Sequence, residues 1–452
     1  MNKEDSQVSF VKILGFWAPL AATWMMMAVE GPFLAAIIAR LSNPKYNLAA
    51  YGVAYSLALI VEAPVVMLIS ASNALARDRD SYLKLRKFAL LINGLSTLIM
   101  MVILVPPIFK TIALDLIKLP ENVAQLAYYS CLLLLPWPGA IGYRRFYQGI
   151  LISNELPQRV AYGTMIRLLA MGITGLICYK FFALDGALVG GLSLSMGVVG
   201  EAIASRIMAI LPVKKLLSKE GSFSQEKKLT LKNITRFYYP LALTSFLALA
   251  MHPMETFFMG RARMPIESLA VLPVIHSLVF IFRSMGLSFQ EVGIAFLGEK
   301  NQRFKSLRNF SLLLAAFASG GLLGVAFTPL SNFWFHRVSG LSTQLTLFSI
   351  LPTKILGILP GLTVLVCFQR AIMVNNRKTI HITISTIIEI LCVFLTLFIA
   401  IKYFEAIGAV AASLALVLGR VMANLYLFKP CSLALRKSEL TPSLACCSFE
   451  PR

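Results

Sequence analysis

The sequence has little charge: only 14% of its 452 residues are Asp, Glu, Lys or Arg, whereas 58% are hydrophobic. Soluble globular domains carry about 25% charged residues. This deficit excludes a soluble enzyme, a disordered protein and a nucleic-acid-binding domain as the main interpretation. A helix that crosses a bilayer needs roughly 20 apolar residues, and the chain is long enough for twelve such helices joined by short loops.

Motifs that carry enzyme chemistry are also missing. There is no GxxxxGK[ST] loop, no metal-ligand spacing and no convincing catalytic triad, so we predict no catalytic residue, no metal site and no cofactor. The seven cysteines are odd in number, which argues against a disulfide framework. Cys446 and Cys447 fit either a lipidation site or an ordinary tail. The first apolar run exceeds signal-peptide length, and we predict a retained helix.

Twelve apolar segments follow one another along the chain. They cover residues 13–38, 48–70, 88–109, 122–142, 160–179, 186–211, 237–259, 267–289, 309–329, 346–368, 380–401 and 407–428. With this division, 28 Lys and Arg residues lie on the side of both termini and 9 on the other side. Because cytoplasmic loops carry the excess of Lys and Arg, we predict an integral multi-pass protein of the plasma membrane or bacterial inner membrane, with both termini cytoplasmic. The net charge of +21 then reports orientation and not nucleic-acid binding.

The second half of the sequence repeats the first at a nearly constant shift. In the first two segments of each half, equivalent residues are as far apart in sequence as Pro19 and Pro240. In the later segments, equivalent residues are one residue further apart, which we call the longer shift. The most informative later matches are Pro138-Gly139 with Pro360-Gly361, Asn154 with Asn376, Gly186-Ala187 with Gly408-Ala409, and Gly197 with Gly419. We predict an N-terminal six-helix lobe (1–212), a basic cytoplasmic linker (213–236), a C-terminal six-helix lobe (237–428) and a cytoplasmic tail (429–452). Parallel repeats related by an axis along the membrane normal are a transporter architecture, although a duplication without transport remains an alternative.

Several charged residues interrupt the apolar segments, where charge is costly and usually faces a cavity or the bundle interior. The shift places Glu62 in the position of Arg283 on the opposite lobe. The two residues fit a gate that closes as an ion pair, two poles of a substrate cavity, or groups satisfied within their own lobes. Glu30 and Glu62 are candidates for coupling or gating, with structural hydrogen bonds as the alternative. His252 and His276 fit either titrating or packed histidines.

Basic clusters follow the fourth and tenth segments. Arg144 and Arg145 lie in the predicted loop 143–159, and Arg370 and Arg377 lie in the predicted loop 369–379. Such clusters contact phosphate head groups or an entering anion in some membrane proteins. Ordinary cytoplasmic positive charge explains these clusters without any such contact, and we prefer this interpretation.

A resemblance to a known family starts at Leu48-Ala49-Ala50-Tyr51-Gly52-Val53-Ala54-Tyr55-Ser56-Leu57, which is similar to a signature of the progressive ankylosis (ANK) family. Arg77-Asp78-Arg79 follows at similar spacing. Arg145-Phe146 with Gln148-Gly149 resembles a segment of the MATE exporters, which share the MOP flippase superfamily with ANK proteins. The resemblance implies two six-helix bundles around a central cavity, with alternating access driven by an ion gradient. The ANK branch implies organic anions such as citrate, pyrophosphate or nucleotides, and the MATE branch implies cationic drugs.

Taken together, these observations predict an all-α, MATE-like polytopic membrane protein that acts as a monomeric secondary active exporter of a small organic anion. A proton or sodium gradient would drive antiport, and the expected partners are the lipid bilayer and the small-molecule solute, without nucleic acid. The predicted substrate cavity consists of Arg283, His276, His252, Glu255, Tyr51 and Tyr55. The alternatives are cation-coupled multidrug efflux, a lipid or lipid-linked sugar flippase, a channel, and a membrane-embedded enzyme.

Overall fold

The computed structural model describes residues 9–154, 156–218, 230–297, 301–376 and 378–439, and the described residues form helices without a named β-strand. The helices of the first half are α1 (Phe10–Ala28), α2 (Glu30–Ala39), α3 (Pro44–Glu62), α4 (Leu68–Leu75), α5 (Arg79–Ile103), α6 (Pro106–Lys110), α7 (Glu121–Leu133), α8 (Trp137–Ser153), α9 (Pro157–Phe181), α10 (Gly186–Met208) and α11 (Ile210–Ser218). Those of the second half are α12 (Leu231–Leu249), α13 (Met251–Met259), α14 (Pro265–Phe296), α15 (Phe304–Phe327), α16 (Leu330–Asn332), α17 (Thr343–Leu356), α18 (Leu359–Asn375), α19 (Ile380–Lys402) and α20 (Gly408–Glu439).

These helices make twelve crossings, which confirms the predicted pair of pseudo-symmetric six-helix bundles. Within the described residues, nine stretches are long and apolar enough to span a bilayer. The other three crossings are α3–α4, α7–α8 and α12–α13, and each is interrupted by a break in the helix. We call the face where α1 begins and α20 ends the terminal face, and the opposite face the far face.

The first crossing of each repeat breaks at the same place. Helix α1 ends just before Val29, and α12 ends just before Ala250, which is the repeat equivalent of Val29. A proline follows three residues after each of these positions, at Pro32 and Pro253. Proline lacks an N–H donor, and its ring clashes with the carbonyl four residues earlier, so neither helix continues unbroken. The break in the seventh crossing thus lies directly before His252 and Pro253.

The two lobes meet where α3 packs against α14. A Cβ atom added at Gly52 would lie 2.9 Å from Cγ of Pro273. Only glycine allows this close approach without movement of the proline ring. Pro273 is also the repeat equivalent of Gly52, by the same shift that relates Pro19 to Pro240. Contact between equivalent residues means that the pseudo-two-fold axis passes between them.

Reciprocal contacts tie the lobes together at the far face. Arg40 follows α2 and donates hydrogen bonds to the carbonyl oxygens of Arg337 (2.6 Å) and Val338 (2.9 Å) in the other lobe. Its repeat equivalent, Arg261, donates to the carbonyl oxygen of Asp115 at 3.3 Å. Asp115 and Arg337 are themselves equivalent by the longer shift, and both lie in single π-helical segments. The same contact is therefore made twice, once from each lobe.

An ion pair adds to this far-face closure. Nζ of Lys45 lies 2.5 Å from Oε1 of Glu267, which joins the first turns of α3 and α14. Both helices begin in the same way, with a left-handed residue (Asn43, φ 48°; Met264, φ 56°) followed by proline. The N-terminal ends of α3 and α14 therefore have similar turns and lie next to each other.

Toward the terminal face, the first helix of each repeat reaches the opposite lobe. Trp17 of α1 donates from Nε1 to the carbonyl oxygen of Met285 in α14 at 3.2 Å. Tyr238 of α12 donates its hydroxyl to the carbonyl oxygen of Pro64 and packs edge-on against Phe88, with ring centroids 5.2 Å apart. Helices α1 and α12 thus bridge the lobes.

The structure also shows how the predicted boundaries relate to the helices. Helix α20 continues to Glu439, well past the predicted start of the tail at residue 429. Helix α11 covers the beginning of the predicted linker, whereas residues 219–229 lie outside the described part of the chain. Cys446 and Cys447 lie outside it as well.

Candidate functional site

Polar side chains gather beside the helix breaks. In the N-terminal lobe, Glu30 is the first residue of α2 and pairs with Arg167 of α9. Nε of Arg167 also lies 3.7 Å from Oε2 of Glu201 on α10. Glu201 is 0% exposed and therefore depends on protein groups to stabilise its charge.

Glu201 receives this stabilisation from α8. Arg144 donates to Oε2 of Glu201, and Nε2 of Gln148 donates to Oε1 at 2.9 Å. Glu30, Arg167, Glu201 and Arg144 thus form one connected chain of charges across α2, α9, α10 and α8, which we call the N-lobe network. Glu30, a predicted coupling residue, is a neutralised member of it.

The predicted loop beginning at residue 143 is wrong. Helix α8 runs to Ser153, Arg144 is only 6% exposed, and Arg145 lies beside it on the same helix. Counting loop charges cannot distinguish a surface arginine from one that is neutralised inside the bundle. The acidic partner, Glu201, lies 57 residues further along the chain, which is why the sequence did not reveal it.

Glu62 has a different environment. It is the last residue of α3, and its Oε2 accepts a hydrogen bond from Nε1 of Trp137 at 2.5 Å. Trp137 begins α8, so the breaks of two crossings meet at this contact. Tyr51 and Tyr55 stack with ring centroids 6.1 Å apart, and Tyr55 packs edge-on against Trp137. The predicted cavity tyrosines thus form an aromatic ladder toward Glu62 within the N-terminal lobe.

Glu62 and Arg283 do not pair. In the part of the chain that the structure describes, neither residue has an ion-pair partner within 4 Å, and Nε of Arg283 is buried without a hydrogen-bond partner. Arg283 instead interacts electrostatically with Glu255, Glu389 and Arg420 of its own lobe. Of the arrangements that the sequence left open, a gate closed as an ion pair is absent from this conformation.

The other predicted cavity residues do come together. His252 and Glu255 lie on α13, three residues apart and therefore on one face of the helix. His276 on α14 faces them: its Nε2 lies 3.8 Å from Oε2 of Glu255, and its ring centroid lies 5.9 Å from that of His252. The side chain of His276 is 22% exposed, whereas Glu255 is 2% exposed.

A second ion pair lies deeper in the C-terminal lobe. Nη2 of Arg420 on α20 lies 2.9 Å from Oε1 of Glu389 on α19. Arg370, which the sequence predicted in a loop, lies in α18 and donates to the hydroxyl of Thr386 at 3.2 Å. Its predicted companion Arg377 lies outside the described residues.

The repeat relates Arg167, which lies near Glu201, to Glu389, which pairs with Arg420. Glu389 is the equivalent of Arg167 by the longer shift, so the cation sits on α9 in one lobe and the anion on α19 in the other. The neighbouring glycines are equivalent too. A Cβ at Gly197 would lie 3.1 Å from the carbonyl oxygen of Arg167, and one at Gly419 would lie 3.0 Å from that of Glu389. Applying the same shift to Arg167 is the signal that finds this relationship.

Chemically, the site offers carboxylates, imidazoles and guanidinium groups inside a largely apolar bundle. Ionisable groups in such positions mark pathways for solutes, ions or protons. Glu62 is bound by a neutral donor, and Arg283 has no acidic partner within ion-pair distance among the described residues. These two charges are consequently less compensated than those of the N-lobe network.

Comparison with known proteins identifies solved transporter structures with the same fold. A multidrug resistance MATE family transporter of the MOP superfamily, in an inward-facing conformation, superimposes with a TM-score of 0.72 at 13% identity, covering 93% of this chain and 96% of that one. An outward-facing structure described in the same words gives 0.61 at 16% identity, covering 96% and 100%. A MOP superfamily transporter from Pyrococcus furiosus gives 0.65 at 15% identity, covering 96% and 100%. No protein-family model matches the chain, and no curated protein matches it in sequence.

Proposed function

We propose that the protein is a secondary active transporter that moves a small organic solute across the membrane by alternating access. The observation that carries this proposal is the symmetric closure of the far face. Arg40 and Arg261 make the same contact from opposite lobes, and Gly52 meets its own equivalent, Pro273. Contacts of this kind separate together when one lobe rocks against the other about the pseudo-two-fold axis. The solved structures of the same fold are described as transporters.

The conformation is inward-facing in this proposal. The far face is closed by contacts between the lobes, and the likeness is greater to the inward-facing relative than to the outward-facing one. The excess of Lys and Arg near the terminal face supports a cytoplasmic location for that face and for both chain termini. Solute would enter from the cytoplasm, and opening of the far face would release it outside. We propose a plasma or bacterial inner membrane and a monomer.

The proposed substrate is a small organic anion such as citrate, pyrophosphate or a nucleotide. The C-terminal lobe places Arg283, Arg370 and Arg420 against only two interior carboxylates among the described residues, Glu255 and Glu389. Arg420 pairs with Glu389 and Arg370 donates to Thr386, whereas Arg283 has no ion-pair or hydrogen-bond partner among the described residues. A guanidinium group binds carboxylate and phosphate oxygens in a bidentate manner. The ANK resemblance of the Tyr51–Tyr55 segment implies the same class of solute.

Multidrug efflux is the second candidate, because the relative with the TM-score of 0.72 is described as a multidrug resistance transporter. It would use Glu255 and the aromatic ladder to bind an organic cation. A lipid or lipid-linked sugar flippase is a further alternative, because the superfamily implied by the resemblance includes flippases. The transport assay below distinguishes it from the other two candidates.

For coupling, we propose a proton or sodium gradient acting through Glu62. Glu30 is already neutralised by Arg167, whereas Glu62 accepts a hydrogen bond from the neutral indole of Trp137. A carboxylate without a cationic partner is available to a proton or a sodium ion.

Transport by purified full-length protein in proteoliposomes tests these proposals. Radiolabelled citrate, pyrophosphate and ATP, a cationic dye and a fluorescent lipid would each be offered under an imposed proton or sodium gradient. We expect gradient-driven movement of one of the anions, and its loss in Arg283→Gln. The matched control is Arg308→Gln, an exposed arginine of α15.

Movement of the dye or the lipid alone would replace the anion proposal with the corresponding alternative. Absence of transport of every probe by folded protein would overturn the transport proposal itself.

A further inference from the structure

We propose that His252, Glu255 and His276 form a binding site for a divalent transition-metal ion, of the kind that zinc and cobalt occupy. Each residue offers one ligand atom, and the three atoms all lie within 4.8 Å of one another. They come from two elements: α13, just after the helix break, and α14, which packs beside it. The sequence predicts no metal site because the third ligand, His276, lies far beyond Glu255 on a different helix.

The distances suit a single ion. Bonds from zinc to imidazole nitrogen and carboxylate oxygen are about 2.0–2.2 Å, so two ligands of a tetrahedral ion lie about 3.4 Å apart. Nε2 of His276 and Oε2 of Glu255 are 3.8 Å apart, so a small movement brings these two atoms to that separation. The ring of His252 has its centroid 5.9 Å from that of His276 and needs only a small side-chain adjustment to complete the set.

The same two atoms have no other partner in the described part of the chain. Oε2 of Glu255 and Nε2 of His276 are buried without a hydrogen bond to any described residue, and the Glu255 side chain is 2% exposed. A buried carboxylate oxygen left unpaired is costly. A bound metal ion would satisfy both atoms at once, which makes this the independent observation that points to a ligand.

The donor set indicates the class of ion. Two imidazoles with one carboxylate suit zinc, copper, iron or nickel, whereas calcium and magnesium prefer sites made of oxygen atoms. Three protein ligands leave a fourth position open on zinc, as in catalytic zinc sites. The His276 side chain is 22% exposed, although the ligand atoms of His276 and Glu255 are themselves buried.

Arg283 limits the affinity of this site. It lies seven residues after His276 on α14, which is two turns along one face, and its charge acts on both histidines and on Glu255. A guanidinium group at this range repels a metal cation, and Glu255 compensates for part of that repulsion. An anionic group bound at the open position would interact with the metal and lie on the Arg283 side of it. That last point rests on the proposed function, whereas metal binding itself does not.

Cobalt binding by purified full-length protein in detergent tests the site, because tetrahedral Co²⁺ has visible absorption bands that Zn²⁺ abolishes by competition. The background would carry Cys446→Ser and Cys447→Ser, because two adjacent thiols could themselves bind Co²⁺. We expect one Co²⁺ per chain. Loss of even an outer partner of a metal ligand weakens affinity by about 10–100-fold, so Glu255→Gln, His276→Asn and His252→Asn are each expected to weaken binding by at least about 100-fold.

The matched control is the double variant His336→Gln with His381→Gln, which removes the two remaining histidines of the chain and should bind Co²⁺ like the parent. Arg283→Gln should tighten binding. Size-exclusion profiles and thermal unfolding identify any variant that misfolds, in which case the other two ligand variants carry the test. Absence of Co²⁺ bands in the parent, or bands unchanged in all folded ligand variants, would overturn the metal site. No gradient or solute is needed, so this outcome is separate from failure of the transport assay.

Discussion

Arg167 and Glu389 occupy equivalent positions in the two repeats and carry opposite charges. Arg167 pairs with Glu30 on α2 and lies 3.7 Å from Glu201 on α10, whereas Glu389 pairs with Arg420 on α20. The fold is pseudo-symmetric, but its interior charge is not. Equivalent positions of the two lobes therefore offer different chemistry.

The Glu389–Arg420 pair gives a prediction about stability. Removing one partner of a buried ion pair leaves the other charge uncompensated, at a cost of about 3–5 kcal/mol. We therefore expect Glu389→Gln to lower the unfolding temperature of the purified protein clearly. The double variant Glu389→Gln with Arg420→Met should recover most of the loss, because it removes both charges of this pair. Equal loss in the single and double variants would show that the pair is not the cause.

The far-face ion pair predicts that a cross-link between the lobes arrests transport. Lys45 and Glu267 are in direct contact across the two lobes. In a background without native cysteines, we expect a cleavable bis-thiol reagent, which contains a disulfide and spans the reach of the two original side chains, to join Lys45→Cys to Glu267→Cys and to abolish solute release at the far face. Reduction should restore it, since the far face can then open again.

Each single cysteine variant, treated with the same reagent, serves as the control and should keep its activity. Undiminished transport by the fully cross-linked protein would mean that the lobes do not separate at this face, which contradicts alternating access through it.

We expect the Glu62→Gln variant to uncouple solute movement from the ion gradient. Glutamine retains an oxygen that accepts the hydrogen bond from Trp137, so the contact between the α3 and α8 breaks survives. It has no charge to bind a proton or a sodium ion. We expect gradient-driven accumulation in proteoliposomes to be lost, while exchange of solute down its own gradient continues.

The matched control for coupling is Glu291→Gln, since Glu291 is an exposed carboxylate near the end of α14. Accumulation that survives in Glu62→Gln would assign coupling to another group, with Glu30 as the next candidate.

The sequence predicted the architecture well because the architecture depends on local and periodic signals. Apolar runs mark the crossings, the constant shift marks the repeat, and Pro253 marks the break before α13. Partners within the interior are a different matter. Nothing in the neighbourhood of Arg144 shows that Glu201 neutralises it, and the sequence placed Glu255 and His276 in one cavity without predicting their direct contact. Such pairs depend on which helices pack together, and helix packing is a tertiary property.

The contact between Gly52 and Pro273 predicts a steric block of the far-face closure. A Cβ at Gly52 already meets Cγ of Pro273 at 2.9 Å, and a leucine adds three more carbons that α14 cannot accommodate without moving away. We expect Gly52→Leu to keep the lobes apart at the far face and to abolish transport, while the protein stays folded because each lobe retains its own packing. The matched control is Gly94→Leu on α5, where an added Cβ meets nothing within 4 Å. Spin-label distances between the lobes should increase in the first variant and not in the second. Wild-type distances and transport in Gly52→Leu would show that α3 and α14 do not form the closing contact.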